Sequence, residues 1–222
     1  MVTEKEIEQQ KRAKLKSEKP EVFEKVIKIE ERFKQGIPTP IIDIAYSYAC
    51  NLKCQHCTAS RFKKDSRKLT PKDLLHISNQ AHELGLCQFC LSGGEPLIFK
   101  DLDEVIAALQ PDKFHLTMST NGHFMTSEKA RHLKKLGLDK VKISLDDFDE
   151  NIHDTNRNDR GAYRKAINAM MKAREAGLSV VIQTVVTHQN CQTDRLFQMA
   201  EFARENGFTI DVLIARCTGK WE

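Results

Sequence analysis

The sequence has no large excess of charge of either sign and no apolar run long enough to cross a membrane. It contains 35 basic and 31 acidic residues, and the formal net charge of +4 is too small to indicate a nucleic-acid partner. The opening residues are polar and lack the apolar core of a signal peptide. We therefore expect a cytoplasmic protein without a membrane or nucleic-acid partner.

A framework of paired cysteines is also missing. Seven cysteines are present, but they do not show the regular spacing of a small secreted scaffold. Cys87 and Cys90 form a C-x-x-C pair, yet on a strand their side chains would point to opposite faces and would not share a metal. We interpret these two as ordinary thiols of a reducing compartment. Cys191 and Cys217 could belong to a second cluster, but two isolated cysteines do not make one, so ordinary thiols are again the favoured interpretation.

The remaining three cysteines, Cys50, Cys54 and Cys57, lie within eight residues. Cysteine sulfur is the usual ligand of iron–sulfur clusters and zinc, and short gaps let one loop surround one metal core. Three ligands leave a coordination position open, which is typical of a site that performs chemistry. Two other interpretations stay open: a zinc site completed by His56 or a distant cysteine, and three free core thiols.

Alternating apolar and helical patterns predict an α/β fold with six strands and a parallel sheet. A chain of 222 residues allows one good-sized core. Glycines follow several helices as left-handed C-caps would require. Predicted strands lie near 41–47, 87–92, 113–119, 140–146, 179–187 and 208–215, and helices near 71–84, 101–109, 127–136, 161–176 and 193–206.

The first 38 residues differ in composition and are predicted to form a charged helical extension, with the core over 39–222. Residues 1–20 have little apolar content, which predicts a frayed helix or a mobile tail. From Glu21 to Phe33, apolar residues fall at helical spacing, so this segment should be a helix that packs on the barrel.

Polar side chains alternate with apolar ones along several predicted strands, although a fully buried parallel strand should be apolar on both faces. Because side chains alternate with period two, these polar groups share one face of the sheet. A polar interior at the C-terminal strand ends indicates a substrate cavity and therefore an enzyme. The polar residues are His115, Thr117, Ser119, Lys142, Ser144, Asp146, Gln183 and Thr187.

The C-x3-C-x2-C spacing after the first strand resembles the cluster loop of the radical S-adenosylmethionine (radical SAM) superfamily. His56 stands where the family more often has Tyr or Phe, which is a departure, although its ring is also planar. The resemblance implies a partial (β/α)6 parallel barrel. It also implies a [4Fe-4S] cluster on Cys50, Cys54 and Cys57, with the fourth iron chelated by the amino and carboxylate groups of SAM.

Further segments at strand ends are similar to SAM-contacting segments of this family. The stretch Gly93, Gly94, Glu95 and Pro96 would hold the methionyl amine, because close-approaching backbone carbonyls and a carboxylate accept from an ammonium group. Segments with Ser119 and Asn121 and with Ser144 and Asp146 would contact the ribose and carboxylate. Arg157 would clamp the SAM carboxylate, with an exposed loop arginine as the alternative. Residues 210–215 would supply an apolar wall for adenine, which core packing explains equally well.

The activity implied is reductive cleavage of SAM to methionine and a 5′-deoxyadenosyl radical, which abstracts hydrogen from a substrate. Similarity around His153 to Arg157 points to the SPASM/twitch-like or related branch that modifies peptides or peptide-derived cofactor precursors. A small-molecule or nucleotide substrate, or a non-catalytic iron–sulfur or zinc module that binds a partner, is the alternative.

Two expectations concern features around the core. A low-potential electron donor of the flavodoxin or ferredoxin type is the implied partner, and the basic stretch 61–68 is either its docking site or a solvated loop. The chain stops just beyond the sixth strand, without the last barrel helix, so we expect a C-terminally truncated piece of a longer protein.

Overall fold

A single six-stranded parallel sheet forms the centre of the protein in a computed structural model that describes residues 4–37, 41–62, 69–187, 190–191 and 194–214. The strands follow one another in chain order across the sheet. Each strand lies within a few residues of its predicted position, so the α/β partial-barrel fold is confirmed. The strands are β1 (Ile42–Ser47), β2 (Gln88–Gly93), β3 (His115–Thr120), β4 (Lys140–Ser144), β5 (Ser179–Val186) and β6 (Thr209–Ile214).

Helices alternate with the strands, and the predicted ones are all present. One short helix in the loop after β4 was not predicted. Two 3-10 turns, Thr58–Phe62 and Pro96–Ile98, follow the loops after β1 and β2. The helices are α1 (Glu4–Glu18), α2 (Pro20–Lys34), α3 (Pro71–Glu83), α4 (Leu102–Ala108), α5 (Ser127–Lys135), α6 (Glu150–Arg157), α7 (Ala162–Glu175) and α8 (Arg195–Asn206).

Local sequence explains where these helices begin and end. Thr70 and Asp73 form a reciprocal capping box, and Pro71 occupies the first turn of α3. At the other end of a helix, Gly207 caps α8 in the left-handed conformation, with φ of 69°. None of the helices in the described ranges is long and apolar enough to cross a membrane.

The hydrophobic core lies between the sheet and the helices. Val141, Ile143 and Leu145 are fully buried, and the intervening Lys142 and Ser144 are half-buried. Phe89 and Phe114 pack with ring centroids 4.6 Å apart. The predicted alternation along β4 is therefore confirmed, and it separates the core face from the face toward the barrel interior.

The N-terminal helices cover the N-terminal ends of β3 and β4. Val22 of α2 is fully buried, as expected for a helix packed on the barrel. Lys19 is 8% exposed and donates to the Phe114 carbonyl at 3.2 Å, the Gly137 carbonyl at 2.9 Å and Asp139 at 2.5 Å. Residues 4–18 form a regular helix, not a tail, because ion pairs such as Arg12 to Glu30 join α1 to α2 where apolar residues are few.

Candidate active site

A cavity of about 550 Å³ opens at the C-terminal ends of the strands. This is the end at which ligands bind in α/β barrels. Among the predicted site residues, Pro96 and Asp146 do not line the cavity. Those that do are Cys50, Cys54, His56, Cys57, Gly93, Gly94, Glu95, Ser119, Asn121, Ser144 and Arg157.

Hydrogen bonds attach the cysteine loop to the backbone of helix α6. The backbone N–H of Gln55 donates to the Asn156 carbonyl at 2.9 Å, and the Gln55 side chain donates to the Thr155 carbonyl at 3.1 Å. Cys50, Cys54 and Cys57 are not joined in disulfide bonds. Burial raises the pKa of the Cys50 and Cys54 thiols. Metal binding deprotonates a thiol. Bound iron would therefore supply the positive charge that stabilises the thiolate, which burial alone disfavours.

The two glycines after β2 let the backbone approach the cysteine loop, not only a ligand. A Cβ atom on Gly94 would lie 1.9 Å from the Ala49 carbonyl oxygen, and one on Gly93 would lie 2.4 Å from the Ser47 carbonyl oxygen. The Gly94 N–H donates to the Ser47 carbonyl at 2.7 Å. This backbone contact fixes the path of the chain immediately before Cys50, a role that the sequence motif did not indicate.

Glu95 ties the end of β2 to the end of β3. Its side chain is fully buried and accepts from the Leu97 N–H at 3.0 Å, the Thr120 hydroxyl at 2.6 Å and the Asn121 N–H at 2.7 Å. Burial raises the pKa of this carboxyl group against the effect of those donors. A contact from Glu95 to a ligand ammonium group stays a prediction, and it would add to three existing bonds.

Arg157 is buried behind the cysteines, so the exposed-loop alternative for this residue is wrong. The guanidinium donates to Asp146 at 2.7 Å and lies 4.0 Å from the Cys54 sulfur. His56 Nε2 lies 3.6 Å from the second oxygen of Asp146. Burial alone would raise the pKa of Asp146, but the charge and hydrogen bond of Arg157, together with His56 and His153, lower it. Asp146 thus positions Arg157 and His56 and does not itself face the cavity.

The other predicted residues occupy the rim and the wall. Asn121 donates to the Asn51 side chain at 2.9 Å, which joins β3 to the cysteine loop. The Ser119 hydroxyl lies 3.7 Å from the Cys90 sulfur. Pro96 is buried and begins a 3-10 turn.

Besides Asp146, three residues of the predicted polar face do not line this cavity. His115 lies at the opposite end of β3, and Thr117 is buried between the two ends. Thr187 follows β5, where its N–H donates to Asn190 at 2.8 Å. Cys217, residue 215 and the core of the basic stretch, 63–68, lie outside the described residues.

The inner wall contains polar residues that were not assigned a role from the sequence. Lys142 donates to Asp211 at 2.7 Å, and Gln183 donates to the same oxygen at 3.4 Å. Asp43 and Cys90 line the wall on β1 and β2. The alternation in β4 and β5 indicated the polar face, but which of its residues reach the cavity depends on the register of the sheet.

No three Cys, His, Asp or Glu side chains of the described ranges converge closely enough to hold a single metal ion. This does not favour the zinc interpretation, in which His56 completes a mononuclear site. Cys50, Cys54 and Cys57 nevertheless face one cavity. Three thiols that line one cavity are a donor set suited to a [4Fe-4S] cluster, because Cys thiolates are the usual ligands of such clusters.

The fold and the site together define an enzyme built on a parallel α/β barrel, with a cysteine loop for a metal cluster at the barrel mouth. A family model described as the Radical SAM superfamily matches residues 44–209, and the chain belongs to this family. Members of the family use a [4Fe-4S] cluster and SAM, which agrees with the cofactors expected from the motifs.

Among known proteins, the chain is similar to a mycofactocin maturase MftC of Mycolicibacterium smegmatis, with 30% identity over 197 residues, 88% of this chain and 50% of that protein. A probable GTP 3′,8-cyclase of Methanocella arvoryzae is 27% identical over 77% of this chain and 55% of that protein. The chain spans about half the length of the curated relatives it matches.

Solved structures show the same fold. SuiB of Streptococcus suis, bound to the precursor peptide SuiA, superposes with a TM-score of 0.69 at 22% identity, covering 88% of this chain and 44% of that one. Methylornithine synthase (PylB) gives a TM-score of 0.65 at 13% identity over 97% of this chain and 65% of that one. At these identities the likeness concerns the fold alone.

Proposed function

We propose that the chain binds a [4Fe-4S] cluster through Cys50, Cys54 and Cys57 and cleaves SAM to methionine and a 5′-deoxyadenosyl radical, which abstracts hydrogen from a peptide or peptide-derived substrate. The observation that carries this proposal is the common cavity of the three cysteines and the strand-end segments that resemble SAM-binding motifs. The bound cluster supplies the electron for the cleavage. The protein binds, orients and shields the reactants.

The protein's own contribution begins at the Arg157 guanidinium. Its positive charge beside the Cys54 sulfur stabilises a thiolate there, and Asp146 fixes its position through a buried ion pair. The Gly94 contact to Ala49 fixes the path of the cysteine loop. We assign SAM contacts to Gly93, Gly94, Ser119, Asn121 and Ser144, which line the cavity next to that loop.

A peptide substrate is supported by two relatives and by the wall of the cavity. The name of MftC describes a maturase, and SuiB is seen with a precursor peptide. The inner wall presents a positive charge, a negative charge and an amide group, from Lys142, Asp211 and Gln183. These groups suit the donors and acceptors of a peptide backbone. A nucleotide is the second candidate, because a probable GTP 3′,8-cyclase is also similar.

Anaerobic reconstitution with iron and sulfide, followed by dithionite and SAM, tests the chemistry through the amount of 5′-deoxyadenosine formed. We expect Cys54→Ala to abolish both the cluster and the product, and Cys191→Ala, which removes an exposed thiol, to leave both intact. Loss of the cluster in Cys191→Ala would refute the ligand assignment, and a cluster-free protein that retains zinc would refute the radical mechanism.

The substrate class is tested separately by isotope transfer. Deuterium that passes from a labelled candidate peptide into 5′-deoxyadenosine would identify the peptide as the hydrogen donor, whereas transfer from a labelled nucleotide would favour the second candidate. We propose a flavodoxin- or ferredoxin-like electron donor and a cytoplasmic location, which suits an oxygen-sensitive cluster. Replacement of dithionite by such a donor tests the first of these.

A further inference from the structure

A second cavity lies at the opposite end of the barrel, between α1, α2 and the N-terminal ends of β3 to β6. Its volume is about 480 Å³, within the range of about 300 to 1,000 Å³ typical of small-molecule sites. It has no lining residue in common with the cysteine cavity. Any ligand it takes is therefore separate from the chemistry proposed above.

The lining of this cavity is rich in basic side chains. The bases are Lys11, Arg12, Lys14, Lys134, Lys140 and Arg174, and the acids are Glu8, Glu18, Glu30 and Asp139.

All four acids already have basic partners. Arg12 pairs with Glu8 at 3.1 Å and with Glu30 at 2.5 Å. Lys134 pairs with Glu18 at 3.2 Å. Asp139 pairs at 2.5 Å with Lys19, which does not line the cavity. The carboxylates of the wall are therefore not available to balance its other cations.

Three cations of the wall are left without an acidic partner. Within the described residues, Lys11, Lys140 and Arg174 have no carboxylate oxygen within 4.0 Å, although Arg174 donates to the Asn206 side chain at 2.8 Å. Burial and the neighbouring Lys11 charge both lower the pKa of Lys140. Asp139 and Asp211 offset these effects only in part, so Lys140 is a half-buried charge with no carboxylate of the described residues in direct contact, which an anion entering the cavity would stabilise.

His115 provides an independent observation at the inner wall of the same cavity. Its Nδ1 atom is buried and has no hydrogen-bond partner. An unsatisfied buried polar atom costs about 1 to 3 kcal/mol. A ligand oxygen placed here would accept a hydrogen bond from the imidazole N–H. With the proton on Nδ1, the imidazole would donate to the same kind of group as Lys11 and Lys140, an oxyanion.

Apolar side chains form another part of the wall. Leu178 and Val180 are buried, and Phe208 lies beneath the Arg174 guanidinium, 5.7 Å from ring centroid to the guanidinium carbon. We propose that this cavity binds a small phosphorylated molecule, with its phosphate toward Lys11, Lys140 and His115 and its organic part against Leu178, Val180 and Phe208. The N-terminal helices would then form one wall of a ligand site.

Inorganic pyrophosphate is the probe for the phosphate end. Binding to the reconstituted 222-residue chain is measured by titration calorimetry and by the rise in unfolding temperature, against sodium chloride of equal ionic strength. We expect saturable binding to the unmodified protein, a dissociation constant at least tenfold weaker in Lys140→Met, and no binding in the double variant Lys11→Met, Lys140→Met. Lys140→Met should also unfold at a higher temperature without ligand, because burial disfavours the charged form of Lys140 and the change removes that charge.

Two control variants locate the binding. Lys142→Met removes the same charge two residues further along β4, in the cysteine cavity, and Lys135→Met removes an exposed charge next to Lys134. Both should bind pyrophosphate within twofold of the unmodified protein. Undiminished binding by the double variant, loss in either control, or an equal effect of sodium chloride would overturn the proposal. If Lys140→Met does not fold, Lys11→Met alone tests the proposal and must weaken binding severalfold. Lys11 is exposed on helix α1, so this change should leave folding intact.

Discussion

Arg157 and Asp146 form a buried ion pair of 2.7 Å that joins the end of helix α6 to the segment after β4, directly behind Cys54. Neither partner is more than 8% exposed. Because buried charges are costly unless paired, each residue depends on the other to stay charged in this position. A substitution that removes the charge of one side chain therefore leaves the other charge buried without its partner.

Asp146→Asn keeps the shape of the side chain but leaves the Arg157 charge without its counter-ion. We expect a loss of about 3 to 5 kcal/mol in the free energy of unfolding, measured by urea denaturation of the iron-free protein. Glu18→Gln, which breaks a largely exposed pair with Lys134, should cost less than about 1 kcal/mol. Equal costs for the two variants would show that the Asp146 pair is not effectively buried.

Gly94→Ala should disrupt the cysteine loop, because the added Cβ would lie 1.9 Å from the Ala49 carbonyl oxygen. We expect a destabilisation of about 2 kcal/mol or more and a marked fall in iron bound after anaerobic reconstitution. Gly85→Ala is the matched control: its φ is +73°, but no atom lies within 4 Å of the new Cβ. That variant should lose about 1 kcal/mol and keep its iron. Full iron content in Gly94→Ala would contradict the assigned role.

His115 makes stability depend on pH. Burial lowers its pKa from 6.5 to about 4, so the unfolded chain takes up a proton at a pH where the folded one does not. This contribution is complete above pH 6.5 and is lost as the pH falls toward 4. One pKa unit corresponds to about 1.4 kcal/mol, so the loss is of the order of 3 kcal/mol.

His115→Gln should remove this part of the pH dependence when unfolding free energies are compared at pH 7 and pH 4.5. His76→Gln, a change at an exposed position of α3, should leave the profile unchanged. A profile of His115→Gln that coincides with that of the unmodified protein would show that His115 is not shielded from solvent.

Lys19→Met tests the attachment of the N-terminal helices. The change leaves Asp139 and two carbonyl groups without their buried donor, so we expect a loss of about 3 kcal/mol in urea denaturation. Lys16→Met, on the exposed side of α1, should change stability by less than about 0.5 kcal/mol. A near-zero effect of Lys19→Met would mean that the helices contribute little to the barrel.

Much of the fold follows from the sequence, because strands and helices alternate with clear periodicity and capping residues mark their ends. Helix α6 was missed because its sequence, Glu150 to Arg157, is polar, and its buried residues contact Asp146, Tyr163 and Cys54, which are distant in the sequence or belong to other elements. Helix α1 was underestimated for a related reason: it is held by ion pairs to α2, which apolar periodicity does not report.

The three cysteines and eight other cavity-lining residues could be selected from motifs alone. Their contacts could not, because Glu95 and Asp146 hold other residues in place and this depends on which strand ends meet. Asp211 was missed as a polar residue of the inner wall because β6 was interpreted as an apolar wall for adenine. Its pairing with Lys142 crosses β5 and needs the sheet register to be seen.

The contact between Lys19 and Asp139 spans 120 positions of the chain, which has a consequence for synthesis. Translation at about 5 to 20 residues per second delivers the N-terminal helices on the order of ten seconds before the residues that complete β4. During this interval Lys19 has neither Asp139 nor the Gly137 carbonyl to bind. Helices α1 and α2 therefore leave the ribosome well before the residues that fix their final position have been made.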